Sequence, residues 1–246
     1  MFLPEILNLG NVFKQYFEIV PAYSSKLKDE VYRLRHKVYC EDLKYEQIQA
    51  DRREVDEHDS YSLHLLMRSI KTNEFVGCTR IVRPRLENPR HPLPFEVICS
   101  GMLDQSIMDP IQLQRHSMAE VSRLAVISSY RRRKDEANRA ISISDDDFGT
   151  SKQPRFPFIP VGLYLGTTEL ARINGITTLF VLAEQRQVTH FSKLGVELHV
   201  VGKPVEHRGP RVPAVMNVND IIVNMRTFFR PLYQTIAADI KRNMSQ

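Results

Sequence analysis

The chain has 246 residues, of which 42% are hydrophobic, enough to bury the core of one large domain or two small ones. Its formal charge is +5, from 34 basic and 29 acidic residues, a mild excess that suits an acidic partner without requiring nucleic acid. Three cysteines without a CxxC pair indicate neither a disulfide framework nor a zinc site, and no apolar run reaches the ~20 residues of a transmembrane segment, so we expect a cytoplasmic protein.

Helical and strand patterns alternate along the first half of the chain. Residues 24–39 repeat apolar side chains along one helical stripe and predict a helix. Residues 62–70 and 75–83, separated by the polar turn KTNE, predict an antiparallel hairpin. Residues 118–127 are rich in β-branched and apolar side chains and predict a third strand.

The second half continues this alternation after an interruption. Residues 141–160 are polar, acidic and broken by Gly and Pro, which predicts a long mobile loop. The remaining predicted elements are a helix over 161–175, strands over 177–184 and 196–202, a short helix over 186–195, an edge strand over 212–218 and a C-terminal helix over 219–246 bent near Pro231. With no internal repeat and no Gly/Ser-rich linker, the pattern predicts a single α/β domain with a mixed central sheet flanked by helices and a core over about 24–218.

Two acidic features need an explanation. The stretch EVDEHD, residues 54–59, places four acidic residues directly before an apolar run. It could be a solvated turn, or Asp56 and Asp59 could be held by a cationic partner elsewhere in the chain. Glu120 lies in the middle of an apolar strand, where an unpaired carboxylate is costly, so it needs a partner such as Arg123 or a task.

Four motifs occur together in one order. They are RLRHKVYCEDLKYE (33–46), EVDEHD (54–59), GCTRIV (77–82) and AEVSRLAV (119–126). Together they resemble the acyl-homoserine-lactone (autoinducer) synthases and the related N-acyl amino acid synthases, which are acyltransferases of the GNAT fold. The stretch 162–213 looks more like one branch, the acyltransferases associated with PEP-CTERM/exosortase systems. The resemblance spans about 27–218 and implies a single GNAT-like domain.

The resemblance implies an acceptor pocket beside a cluster of ion pairs. The residues that it assigns to this side are Arg35, Tyr39, Tyr45, Asp56, Asp59 and Arg80. The two aspartates and Arg80 match the ion-pair cluster of the autoinducer synthases, and a planar guanidinium suits carboxylate pairs. Arg35 is expected to bind the acceptor carboxylate, and the two tyrosines are expected to wall the pocket.

The resemblance also implies the catalytic residues. Glu120 has the role of the general base that takes the amine proton, directly or through a water. Residues three apart on a regular strand face opposite ways, so Arg123 reaches the same site only if the strand carries a β-bulge, which we expect here. Backbone N–H groups around Val126 to Ser128 are expected to stabilise the oxyanion. Cys78 is predicted to be a buried, inert thiol, and no metal is predicted.

The donor side is inferred from the segment SYRRRKDEAN, residues 129–138, which lacks the glycine of the pyrophosphate loop of coenzyme A-dependent GNAT enzymes. This favours the acyl-phosphopantetheine arm of an acyl carrier protein as donor substrate, with no bound cofactor. The residues assigned to that arm are Ile127, Arg131, Arg132, Arg133 and Lys134. A solvated basic helix start is the alternative, and nucleic-acid binding is disfavoured because no aromatic residues are interleaved with the basic ones.

The sequence thus predicts an N-acyltransferase that moves a fatty acyl chain from an acyl carrier protein thioester to the amino group of an amino acid. An autoinducer synthase that uses S-adenosylmethionine is one alternative, and a non-catalytic module that binds acyl chains or carrier protein is another. Tyr45 stands where the autoinducer synthases usually have tryptophan, and the chain has no Trp. The 141–160 loop and the C-terminal helix are additions to that pattern, and these departures favour an amino acid acceptor.

Overall fold

This computed structural model of the protein describes residues 9–88, 90–108, 114–131, 149–150, 153–154, 156–185, 188, 191 and 196–244. The described strands are β1 (Phe17–Pro21), β2 (Ser62–Ser69), β3 (Phe75–Val82), β4 (Met118–Val126), β5 (Gly149–Thr150), β6 (Gln153–Pro154), β7 (Thr178–Ala183), β8 (His199–Val200), β9 (Val205–Glu206) and β10 (Pro210–Asn217). The described α-helices are α1 (Leu9–Tyr16), α2 (Ser25–Arg35), α3 (Pro94–Ile98), α4 (Phe158–Ile173), α5 (Val218–Val223) and α6 (Arg230–Met244). No described helix has the length and apolar character that a membrane crossing requires.

One large sheet runs through the molecule in the order β1-β2-β3-β4-β7-β10-β8, with β9 paired to β10. Its neighbouring strands are antiparallel except for β4 and β7, which are parallel. These two strands pair only over residues 118–121 and 178–181, although β4 continues to Val126. The sheet therefore opens between β4 and β7 beyond Val121.

Helices cover both faces of the sheet, and β2 and β3 are almost wholly buried. Leu65 of β2 lies against Gly166 of α4 on one face. The next residue back, His64, points the other way and meets the ring of Tyr32 of α2 edge-on at 5.8 Å. This arrangement confirms the predicted α/β domain with a mixed sheet flanked by helices.

The predicted hairpin is present as β2 and β3, and the predicted third strand as β4. The first predicted helix is present as α2 and is followed by a π-helical segment, His36–Asp42. The helix predicted over 161–175 begins earlier, at Phe158, so the last residues of the predicted 141–160 loop are helical. Most of that loop, and most of the short helix predicted over 186–195, lie outside the described residues.

Three predictions are corrected. The strand predicted over 212–218 is β10, which lies between β7 and β8 rather than at an edge of the sheet. The strand predicted over 196–202 shortens to β8, two residues long. The C-terminal helix is two helices, α5 and α6, and Pro231 lies in the first turn of α6, where its missing N–H is tolerated.

The N-terminal helix and strand were not predicted, and they are held by the C-terminal helix. Glu18 of β1 accepts a hydrogen bond from Arg242 of α6 at 2.6 Å. The backbone N–H of Ile19 donates to Asp239 of α6. Together α1, β1 and α6 close the side of the sheet away from the β4–β7 opening.

The close contact between α1 and α6 depends on Gly10. A methyl group there would meet the Thr235 side chain and lie 2.6 Å from the carbonyl oxygen of Pro231, which cannot move aside. We expect Gly10→Ala to lower the free energy of unfolding by about 1–3 kcal/mol, measured by chemical denaturation. Asn11→Ala, on the exposed face of the same helix, is the control and should change it by less than about 0.5 kcal/mol. Equal stability of the two variants would contradict the contact.

Candidate active site

The central strand β4 carries a β-bulge. The pairing of β3 with β4 shifts between Cys78 and Arg80, so β4 has one residue more than β3 there. The backbone of Arg123 takes up the excess at a φ of 53°, in the left-handed region that costs most side chains about 1–2 kcal/mol. This confirms the predicted bulge, which brings Arg123 onto the wall of a cavity.

The cavity has a volume of about 360 Å³ and lies where β4 and β7 separate. Its charged wall includes Asp56, Arg80, Glu120, Arg123, Arg208 and Arg211. Its apolar wall includes Tyr164, Leu179, Val181, Phe191 and Met216. A cavity with these two parts suits a ligand that combines a polar head with a hydrocarbon tail.

Glu120 lies on the charged wall and is 3% exposed. Its carboxylate accepts a hydrogen bond from the backbone N–H of Phe95 at 2.7 Å and forms no ion pair with any residue that the structure describes. Burial raises the pKa of Glu120 to about 7, although the Phe95 hydrogen bond and the charges of Arg80 and Arg123 act in the opposite direction. Arg123 pairs with Glu54 instead, so the alternative of a Glu120–Arg123 ion pair is excluded.

Beside Glu120, three arginines and three carboxylates form a charge network. Its members are Arg35, Arg80, Arg123, Glu54, Asp56 and Asp59. Nη1 of Arg80 donates to Asp56 at 2.6 Å and to Asp59 at 2.9 Å, which confirms the predicted ion pairs. Nη2 of Arg123 donates to Glu54 at 3.0 Å and to Asp56 at 3.1 Å. Glu54 and Asp59 each contact two of these arginines and Asp56 contacts all three, and the three positive charges balance the three negative ones.

The carboxylates of the charge network are ionised at neutral pH. Burial by itself would raise their pKa, but the arginines hold the pKa of Glu54, Asp56 and Asp59 below the usual range. Local backbone bonds aim two of them at the sheet: Asp56 caps the 3-10 turn Glu57–Tyr61 by accepting from the N–H of His58, and Asp59 accepts from the N–H of Asp56 at 2.8 Å.

Arg35 does not reach an acceptor, which corrects the expectation that it binds the acceptor carboxylate. Its side chain is fully buried and is not part of the cavity wall. Its Nε donates to Glu54, and its Nη1 donates to Asp59 at 2.6 Å. Because these donors are committed to the charge network, Arg35 holds the segment 54–59 in place rather than a ligand.

Tyr39 and Tyr45 both lie on the cavity wall, where the acceptor pocket was predicted. Their rings are stacked with centroids 6.5 Å apart. The hydroxyl of Tyr39 donates to the carbonyl oxygen of Leu124, next to the bulge, at 2.9 Å. Tyr39 lies in the π-helical segment, a wider turn that is common at functional sites.

Glu54 was not singled out from the sequence, although it links Arg35 and Arg123 in the charge network. The signal was available in EVDEHD, where Glu54 precedes Asp56 by the two-residue step that puts extended side chains on one face.

The hairpin formed by β9 and β10 also contributes to the cavity and was not predicted. Its residues on the wall are His207, Arg208 and Arg211. Arg208 forms an ion pair with Glu46, and its guanidinium lies 5.8 Å from the ring centre of Tyr45. The sequence shows a basic turn here, but the cavity is reached only because β10 pairs with β7.

On the donor side, the residues after the bulge differ in the direction of their backbone N–H groups. The N–H of Ile127 donates to the carbonyl of Val76 at 3.0 Å, so it is engaged in the sheet. Alternate residues of an antiparallel strand turn both backbone groups away from the partner, so Val126 directs its N–H towards the opening beside β7. Ser128 begins a 3-10 turn and is exposed, and none of Val126, Ile127 and Ser128 is among the residues that line the cavity.

The basic residues assigned to the phosphopantetheine arm are described only in part. Arg131 is almost fully buried and forms an ion pair with Asp42, which corrects the expectation of a guanidinium exposed for phosphate. Arg132, Arg133 and Lys134 lie outside the described residues.

Cys78 is buried, as predicted, and burial raises the pKa of its thiol to about 12. It is therefore a neutral thiol at physiological pH. Among the described residues, no group of His, Cys, Asp and Glu side chains is arranged to hold a metal ion.

The charge network predicts that neutralising Glu54 destabilises the protein much more than neutralising Glu57, although both belong to EVDEHD. We expect Glu54→Gln to lower the free energy of unfolding at pH 7 by about 3–5 kcal/mol, because it leaves Arg35 and Arg123 short of a buried counter-charge. Glu57→Gln is the control: its side chain is 70% exposed, and loss of its pair with Arg85 should cost about 0–1 kcal/mol.

The loss of stability caused by Glu54→Gln should depend on pH. The pKa of Glu54 is lowered in the folded state, so its contribution is present above the ordinary value of 4.5 and is lost as the pH falls through the folded-state pKa. The difference between wild type and Glu54→Gln should therefore shrink in acid. Equal effects of the two substitutions at pH 7 would contradict the network.

Comparisons with known proteins agree with this geometry. Residues 34–137 match the family model described as the acetyltransferase (GNAT) domain. No curated protein sequence matches the chain significantly.

Several solved structures share the fold. The AHL synthase LasI is 16% identical, with 85% of this chain and 93% of LasI covered at a TM-score of 0.53. BjaI, a CoA-dependent acyl-homoserine lactone synthase solved with SAM and isopentyl-CoA, is 18% identical, with 93% and 89% covered at 0.53. FeeM, an N-acyl amino acid synthase from uncultured soil microbes, is 14% identical, with 85% and 95% covered at 0.52. The protein is therefore an α/β domain with the GNAT-like fold of these synthases.

Proposed function

We propose that the protein is an N-acyltransferase that moves a fatty acyl chain from an acyl carrier protein thioester to the amino group of an amino acid. The observation that carries this proposal is Glu120, a buried carboxylate without an ion pair among the described residues, on the wall of the cavity where β4 and β7 part. The GNAT domain match over residues 34–137 supports the reaction class.

Glu120 has the properties of a general base. A catalytic base works best when its pKa is near the working pH, and burial raises the pKa of Glu120 to about 7. The nearby carboxylates of the charge network are held ionised by arginines and are poor proton acceptors. Of these carboxylates, Glu120 is therefore the one that best takes a proton from an amine.

The reaction needs no covalent enzyme intermediate. The amine nitrogen attacks the thioester carbonyl, forming the C–N bond, and its proton passes to Glu120 directly or through a water. The N–H of Val126, turned towards the opening between β4 and β7, supplies a hydrogen bond to the oxyanion. Collapse of the tetrahedral intermediate breaks the C–S bond, and the departing phosphopantetheine sulfur takes the proton from Glu120.

The apolar wall supplies a place for the acyl chain. Leu179 and Val181 of β7, Met216 of β10 and Phe191 line this part of the cavity together with Tyr164 of α4. These side chains belong to β7, β10 and α4 and to the segment after β7, so an acyl chain that enters from the opening beside β4 would run between β7 and α4. Burial of methylene groups there would bind long acyl chains by about 0.8 kcal/mol for each.

The choice of donor and context is part of the same proposal. The segment 129–138 has no glycine to close a loop on a diphosphate, which favours acyl carrier protein over coenzyme A. The resemblance of residues 162–213 to acyltransferases associated with PEP-CTERM/exosortase systems suggests that setting for the reaction.

The second candidate is an acyl-homoserine lactone synthase that uses S-adenosylmethionine. The stacked rings of Tyr39 and Tyr45 at the acceptor end would suit a flat adenine as well as an amino acid side chain. The fold shared with LasI and BjaI is consistent with this candidate.

One assay separates these candidates. The protein is incubated with acyl carrier protein thioesters and coenzyme A thioesters of varied chain length, together with the twenty protein amino acids and S-adenosylmethionine, and the products are identified by mass. We expect N-acyl amino acids from the carrier protein thioesters. An acyl-homoserine lactone would establish the second candidate, equal use of coenzyme A thioesters would overturn the donor assignment, and no product in any mixture would indicate a binding module.

Glu120→Gln tests the base. The amide oxygen can still accept from the Phe95 N–H, so folding should be retained, while kcat should fall by about 100-fold or more. The wild-type rate should rise with pH up to about 7 as Glu120 loses its proton, and the variant should lack this dependence. Glu197→Gln, on an exposed side chain outside the cavity, is the control. Wild-type turnover in Glu120→Gln would remove the base assignment.

A further inference from the structure

The β9–β10 hairpin places a cation on the same face of the sheet as Glu120. Phe180 of β7 pairs with Glu120 on one side and with Val215 of β10 on the other. Paired residues share a face, and the face repeats every second residue, so Arg211 of β10 projects to the side that carries Glu120. Both residues lie on the cavity wall.

The separation of these two residues suits a small ligand. Arg211 lies two strands from Glu120 and four residues further along, which puts their Cα atoms about 16 Å apart at about 4.8 Å per strand and 3.3 Å per residue. Because both side chains line one cavity, a compact molecule that carries an amine and an acidic group can lie between them.

Arg211 differs from the other arginines of the wall in having no committed donor. Arg80 and Arg123 donate to the charge network, and Arg208 is bound by Glu46. Arg211 forms an ion pair with Glu184 at 3.7 Å, beyond hydrogen-bond distance, and donates no hydrogen bond to any residue within the described ranges. Its guanidinium can therefore donate hydrogen bonds to an anionic ligand without giving up a hydrogen bond to these residues.

Apart from Glu184, the charged groups next to Arg211 on this wall are cationic and favour an anion. His207 on the same hairpin has its pKa lowered by burial and by the charges of Arg208, Arg211 and Arg123, so it is neutral and lies in a region of positive potential. The hairpin is fixed in position because the ion pair of Arg208 with Glu46 fastens its tip across the cavity.

We propose that Arg211 binds the carboxylate of the acceptor, with a neutral His207 beside it, while the amine of the same molecule faces Glu120. This inference rests on the proposed function. It assigns to Arg211 the binding of the acceptor carboxylate, a role that was expected of Arg35. A guanidinium binds a carboxylate through two parallel hydrogen bonds, which fixes orientation as well as position. The ligand class is an α-amino acid with a free carboxylate, S-adenosylmethionine included.

The test compares each acceptor with its carboxamide in wild type, Arg211→Gln, Arg211→Lys and the control Arg226→Gln, whose exposed side chain lies outside the cavity. Arg211→Gln should raise KM for the carboxylate form by about 10- to 100-fold, the loss expected for a charged hydrogen-bond donor, with kcat changed by less than about threefold. The carboxamide should be used equally by wild type and Arg211→Gln. Arg211→Lys should recover part of the loss, and the control should match wild type.

The outcomes separate this inference from the proposed function. An unchanged KM in Arg211→Gln, or an equal rise for carboxylate and carboxamide, overturns the role of Arg211 while acyl transfer stands. If no acceptor is acylated, the proposed function fails, and equilibrium dialysis with the twenty protein amino acids and S-adenosylmethionine decides the inference alone. Binding that is lost in Arg211→Gln and kept in Arg226→Gln supports it, whereas equal binding by all variants, or none by wild type, overturns it.

Discussion

Buried guanidinium–carboxylate pairs fasten the segment 54–59 to β3 and β4, and they form part of the polar wall of the cavity. Taking six charges out of water is favourable only when every charge is matched, so the arginines and carboxylates of the charge network must all be present together. Arg35 supplies the contact from α2, Arg80 from β3 and Arg123 from the bulge of β4. Three elements distant in sequence are thereby held at fixed spacing around one opening.

The same cavity gives its carboxylates two opposite environments. Asp56 and Asp59 receive arginine donors and stay ionised, whereas Glu120 receives one backbone N–H and keeps a pKa near neutrality. Carboxylates whose pKa values are driven apart in this way usually divide structural or electrostatic roles from proton transfer. The β-bulge makes the division possible, because it turns Arg123 towards Glu54 and leaves Glu120 without a charged partner among the described residues.

The sequence predicted the parts of the site that lie within short motifs. The residues of EVDEHD alone left a solvated turn open, and the resemblance to the autoinducer synthases implied the ion pairs of Arg80 with Asp56 and Asp59. The bulge at Arg123 was expected from strand alternation together with the same resemblance. The role of Arg35 was predicted wrongly. A helical pattern indicates whether a side chain is buried, but it does not show which residues its guanidinium contacts. Arg211 was missed because its position depends on the register between β7 and β10, which is set by tertiary packing rather than by local pattern.

The strand predictions failed where the chain gives the weakest signal. β1 and α1 are short, and contacts with α6, more than 200 residues away, help to stabilise them. Local periodicity of the sequence therefore does not predict them. β8 is two residues long for a related reason: it is held by its pairing with β10 rather than by its own sequence.

The short pairing of β4 with β7 has a consequence for selectivity. The two strands pair across this seam only over residues 118–121 and 178–181, and beyond them the ion pair of Arg208 with Glu46 spans the opening. The apolar part of the cavity is therefore bounded by side chains of β7, β10 and α4 rather than by backbone hydrogen bonds to β4. Under the proposed function, substitutions of these side chains can change the preferred acyl length while the strand pairing, Glu120 and the charge network are retained.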